Sequence, residues 1–139
     1  MYDKILVAVD HSEPSDRAVL AARDLALLSK GEVWILHLRE REIITKTSVV
    51  MTDETEREAT SMIEAAVDKL TAAGVKAHGH VGTTIFGYAA RSIVDDAIEN
   101  DVDVIVMGSR GRGDLAGLVL GSTAHKAIHL SDRPVLIVS

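Results

Sequence analysis

Short aliphatic runs alternate with longer helical patterns along the whole 139-residue chain, and that alternation restricts its fold more than any other feature. "KILVAV" (4–9) is almost continuously apolar and rich in β-branched residues, as expected of a strand buried on both faces. Residues 12–31 then offer Ser12 as a helix cap, Pro14 near the first helical position and Gly31 as the stop. "VWILHL" (33–38) reads as a second strand, and the polar stretch Arg39–Met51 as the longest loop. A second helix starts at Thr52 or Asp53 and ends at Gly74, with Ile63, Ala66, Val67 and Leu70 on one face. "VKAHGHV" (75–81) alternates apolar and polar, which places it at a sheet edge with one face half exposed. A helix over 86–100, a strand over 102–108, a short helix over 121–131 and a last strand, "PVLIVS" (134–139), complete the chain. This is one α/β domain, residues 1–139: an open five-stranded parallel sheet with helices on both faces. The first and fourth strands are strongly apolar and each is followed by a polar or glycine-rich turn, which gives them the centre and the order 3-2-1-4-5. Ligands of such sheets bind at the carboxyl ends of the strands where the winding reverses. "DHSE" (10–13) and the segment after the fourth strand should therefore face each other across one crevice.

That fourth-strand segment, "MGSRGRGDLAGLVLGST" (107–123), holds five glycines, Arg110 and Arg112 in a chain of net charge −6. An acidic chain lacks the basic face that nucleic-acid phosphates require, so nucleic acid is not the expected partner. With no cysteine, the setting reads as reducing and cytoplasmic. No apolar stretch reaches the roughly 20 residues of a membrane span, and "MYDKILVAVD" is not a signal peptide. Most glycine-rich connections are plain turns. This one is long for a strand-to-helix link, lies at the reversal point, and ends in "GST" at a helix start, where free N–H groups and the helix dipole attract an anion. It lacks the lysine of a Walker A loop. Its formal match to the dinucleotide fingerprint, Gly111, Gly113 and Ala116, follows the wrong strand and has no acidic partner downstream.

The spacing that stands out is Gly108-x2-Gly111-x9-Gly121-Ser122. With it, the aliphatic opening strand ending in Asp10 and the closing "RPVLIV", the chain resembles the universal stress protein family, in particular its ATP-binding branch, over essentially its whole length. The resemblance implies an ATP site. Ala8 and Val9 would line the base pocket, Asp10 would sit beside the adenosine, and the Leu38 backbone would meet the adenine edge. Met107 and Gly108 would touch the nucleoside, while Gly111, Gly121, Ser122 and Thr123 would hold the phosphates. Any Mg²⁺ would be held mainly through phosphates and water. Where the family often has Gly-x-Pro after the third strand, this chain has Gly82-Thr83-Thr84, which leaves the start of the third helix open.

Asp10 closes a buried strand, so a ligand role competes with capping of the first helix. Arg110 and Arg112 are either stabilisers of phosphoryl charge or solvated cations. His125 and His129, His78 and His80, and Asp95, Asp96 and Glu99 read as exposed faces rather than metal or acid–base sites. The function expected is ATP binding and signalling in a stress response. The alternatives are a slow ATPase or autophosphorylating enzyme using the same loop, and a ligand-free interaction module. The last strand is apolar yet falls at the sheet edge, an arrangement that invites strand pairing. A two-fold homodimer through Val135, Leu136, Ile137 and Val138 is therefore expected, and the resemblance implies the same.

Overall fold

A computed structural model describes residues 1–45, 48–51, 54–111 and 120–139. The opening run forms β1 (Lys4–Val9), and its side chains alternate between two apolar layers. Ile5, Val7 and Val9 enter one core with Ala18, Ala22, Val33, Ile35, Ile63 and Leu70, while Leu6 enters the other with Leu36, Ala90, Val94, Ile105 and Met107. Burial on both faces is why the run is apolar without a period. Ile5, Leu6 and Ile105 are fully buried, and each such side chain contributes about 1.5–3 kcal/mol by leaving water.

The order of elements after β1 is α1 (Glu13–Ser29), β2 (Glu32–Thr45), β3 (Ser48–Met51), α2 (Glu56–Ala72) and β4 (Lys76–Ile85). There follow α3 (Ala89–Glu99), β5 (Val104–Gly108), α4 (Ser122–Leu130) and β6 (Val135–Val138). Five parallel strands run in the order β4-β2-β1-β5-β6, which is 3-2-1-4-5 counted without the short β3. The winding reverses between β1 and β5, which pair in parallel from Ile5↔Val104 to Ala8↔Met107. Helices α1 and α2 cover the core containing Val7, and α3 and α4 cover the core containing Leu6.

The sequence reading needs correction between Arg39 and Met51, where a loop was expected. There β2 continues to Thr45 and pairs antiparallel with β3, from Arg41↔Met51 to Thr45↔Ser48. On its other course β2 stays paired with β4 out to Arg41↔Ile85, so β4 too outlasts the expected strand end at residue 81. A strand paired on both sides holds its hydrogen bonds through the backbone and needs no apolar pattern to do so.

Helix ends follow their caps. Ser12 caps α1, its side chain accepting from Ser15 N, and Pro14 sits in the first turn. The left-handed residue at the end of α1 is Lys30 (φ 58°), not Gly31. Gly31 has a different reason: a Cβ there would lie 2.6 Å from Tyr2 O and 2.8 Å from Asp3 O. The cap of α2 is Thr55, which accepts from Glu58 N; Thr52 and Asp53 lie outside the described residues. Helix α3 starts at Ala89, three residues later than expected.

Candidate functional site

The carboxyl ends of β1, β2 and β5 enclose a pocket with about 620 Å³ of empty space, its open mouth included. Its lining includes Ala8, Val9, Asp10, Leu38, Met107, Gly108, Gly111 and Thr123, eight of the ten residues expected from sequence. Gly121 and Ser122 are not in the lining, although Thr123 and Ala124, in the first turn of α4, are. The lining also includes Ser15, Leu36, Glu40, Ala89, Ile93 and Arg110. Leu36 and Glu40 could have been found from Leu38, since alternate residues of one strand share a face. Arg112 and Gly113 lie outside the described residues.

Asp10 is built in from both sides. Its Oδ1 accepts from Ser12 N at 2.8 Å and from Ser12 Oγ at 2.5 Å, and its own N–H donates to Ser15 Oγ at 2.8 Å. Ser12, not Asp10, therefore caps α1, and Asp10 holds the cap. The expected apposition across the crevice is present, because Ser12 Oγ also lies 3.4 Å from Arg110 O. Gly108 is where the two sides press closest. A Cβ there would stand 2.8 Å from Pro14 Cβ and 2.9 Å from the Pro14 carbonyl carbon, so the first turn of α1 rests against bare backbone.

The phosphate end expected from sequence starts at a fixed point. Ser109 is buried, its N–H donates to Val138 O at 2.7 Å, and its carbonyl accepts from Gly121 N at 2.6 Å. Gly121 caps α4 with an extended backbone (φ −72°) and no side-chain hydrogen bond. A left-handed conformation is thus not the reason for glycine there. A helix start of this kind directs its first N–H groups outward, and Thr123 and Ala124 place it at the pocket wall. At the opposite end, the β1–β2 ladder stops at Val9↔His37, so the Leu38 backbone stands at the first position beyond it.

Charge in the pocket is mixed. Burial, and then the Asp10 charge, raise the Glu40 carboxyl above its ordinary value, with His37 pulling the other way. Arg110 supplies a cation on the loop side.

On the opposite face of the sheet the structure assembles a group that spacing along the chain did not reveal. The His37 side chain is only 5% exposed and that of Glu54 only 7%. His37 Nδ1 donates to Val9 O at 2.8 Å, and its Nε2 lies 2.7 and 2.8 Å from the two Glu54 carboxylate oxygens. His11 Nε2 reaches the same carboxylate at 2.5 Å. Burial raises the Glu54 carboxyl, but hydrogen bonds from His37 and His11, together with their charges, outweigh it and leave it below its ordinary value. Glu54 is 17 residues from His37 and 43 from His11, too far apart for any motif.

The universal stress protein family model matches residues 1–139. The chain belongs to the universal stress protein family. Among curated universal stress proteins it is 36% identical to YxiE of Bacillus subtilis, covering 99% of each chain. The solved structure of MJ0577, a universal stress protein of Methanocaldococcus jannaschii, superposes with a TM-score of 0.76 at 28% identity, covering 99% of this chain and 96% of that one. A universal stress protein solved in complex with cAMP superposes with a TM-score of 0.72 at 25% identity, covering 99% of this chain and 96% of that one. Among the described residues, no helix is long and apolar enough to cross a membrane.

Proposed function

We propose that this universal stress protein binds an adenine nucleotide, ATP, in the pocket at the ends of β1, β2 and β5, and acts in the cytoplasm by binding and signalling under stress. The observation that carries the reading is the division of that one pocket into three chemistries. Leu36, Leu38, Ile93 and Met107 give an apolar slot for a flat base, and the Leu38 backbone offers hydrogen bonds to its edge. Asp10 and Glu40 supply acceptors for ribose hydroxyls. Gly108 and Gly111 allow close approach of the main chain, and the start of α4, with Thr123 in the pocket wall and Gly121 and Ser122 adjoining it, would offer N–H groups and hydroxyls to phosphates. These groups suit a triphosphate with Mg²⁺ held through phosphate oxygens and water, which asks no dedicated protein cage. The relative that carries cAMP supports an adenine nucleotide as the ligand class.

The test is direct. Purified protein is denatured, and anything released is identified by mass spectrometry, with a parallel sample first incubated with Mg-ATP and desalted. An adenine nucleotide in either sample is expected; none in both would contradict the proposal.

The proposal includes a homodimer. β6 pairs with β5 and forms the end of the sheet, and its Leu136 is 42% exposed. An apolar end strand with free backbone pairs readily with its own copy about a two-fold axis, placing Val135, Leu136, Ile137 and Val138 at the interface.

A further inference from the structure

The geometry points to a second ligand site, independent of the nucleotide pocket: a divalent transition-metal site, of the zinc class, formed by His11, His37 and Glu54. The three come from separate segments: the turn after β1, the middle of β2 and the approach to α2. Their ligand atoms nevertheless all lie within 4.8 Å of one another. Neighbours on a solvated surface rarely converge in this way, and here two of the three side chains are almost wholly buried.

The orientation of His37 carries the argument further. A carbonyl oxygen can only accept, so Nδ1 holds the proton that it shares with Val9 O. Nε2 is thereby aimed at the Glu54 carboxylate, which is also an acceptor. In the metal-free protein a proton must stand between them. A cation can replace it, with the Nε2 lone pair and a carboxylate oxygen as ligands and the proton passing to solvent. An imidazole fixed through its far N–H to a backbone carbonyl is the usual outer-sphere arrangement of metal-binding histidines. His11 supplies the third ligand from the solvent side, its side chain 33% exposed, which leaves an entry path.

Two imidazole nitrogens and one carboxylate oxygen suit Zn²⁺ and its neighbours rather than Mg²⁺ or Ca²⁺, which take oxygen ligands. Around a tetrahedral Zn²⁺ with bonds of about 2.0–2.1 Å, ligand atoms stand about 3.3 Å apart. The present separations from the carboxylate to the imidazoles, 2.5–2.8 Å, need only a small opening of the cluster. Three protein ligands leave a fourth position for water. His37 continues the Val33 and Ile35 side of β2, against α1 and α2, whereas Leu36 and Leu38 face the pocket. The two sites meet at the Val9–Asp10 peptide, where Val9 O accepts from His37 Nδ1 while Val9 and Asp10 line the pocket.

The experiment uses full-length protein stripped with a chelator and titrated with Zn²⁺ by calorimetry, without nucleotide. Wild type is expected to bind one Zn²⁺ per chain. His11→Ala and Glu54→Gln are each expected to weaken it by more than about tenfold, at least the loss caused by removing an outer-sphere partner. A His125→Ala/His129→Ala variant controls for the neighbouring imidazoles on α4, whose ring centres are 4.7 Å apart, and is expected to bind like wild type. Should Glu54→Gln fail to fold, the exposed His11 decides. Co²⁺ loaded in place of Zn²⁺ should give the strong visible absorption of a low-coordinate ion, altered in His11→Ala. No stoichiometric binding by wild type, or unchanged affinity and cobalt spectrum in folded His11→Ala, would overturn the proposal.

Discussion

Glu40 and Gly108 show how single residues at the pocket trade stability against shape. The Glu40 carboxyl is raised by burial and by Asp10 above its ordinary value of 4.5, so the folded chain holds that proton more tightly than the unfolded chain does. Its charge therefore opposes folding at neutral pH, and the opposition fades as pH falls through the raised value towards 4.5. Glu40→Gln should melt higher than wild type at neutral pH, with the gap closing on acidification; a gap that does not depend on pH would contradict this account. At Gly108, the missing side chain makes room for the first turn of α1. Gly108→Ala must push Pro14 away and should lower stability by about 1–3 kcal/mol in denaturant titrations. A variant as stable as wild type would show that α1 moves freely. The sequence named Gly108 only as a ligand contact, and Asp10 as a ligand contact or a cap of the first helix. Their second tasks, holding the Ser12 cap and admitting Pro14, depend on distances across the crevice that no local pattern encodes.

At the scale of elements, legibility followed burial. β1 and β5 are covered on both faces, so their continuous apolar runs marked them clearly. The outer half of β2 carries Arg39, Glu40, Arg41 and Glu42 and is held by backbone pairing to β3 and β4, so its charged run reads as loop. The same effect hid the end of β4, although Thr83, Thr84 and Ile85 are good strand formers. The closing "RPVLIV" also divides by element. Arg133 lies just before β6 and donates to Ala97 O at 3.2 Å and to Val102 O at 2.7 Å, tying down the end of α3. That role is structural and needs no ligand. The strand after it makes the assembly prediction: Leu136→Arg places a charge on the exposed side of an end strand. The variant should stay folded and sediment as a monomer where wild type sediments as a dimer. Wild-type protein that is monomeric at micromolar concentration would refute the interface.

For the whole molecule, fold and pocket position followed from the order of strands, because the reversal between β1 and β5 leaves a crevice at their carboxyl ends. The His11–His37–Glu54 cluster did not follow, since it depends on three segments brought together only by the finished sheet and α2. The central claim is that the crevice selects an adenine nucleotide, and thermal melting with Mg-ATP and Mg-GTP tests it most directly. ATP at about 100 times its dissociation constant should add about 2.7 kcal/mol, a shift of roughly 5–10 °C for a domain of this size. GTP should shift the melt much less, because the Leu38 backbone would present the wrong hydrogen-bond pattern to guanine. Gly121→Val, folded but with a branched side chain at the start of α4, should lose the ATP shift altogether. Equal shifts with ATP and GTP, or an ATP shift undiminished in Gly121→Val, would contradict the account.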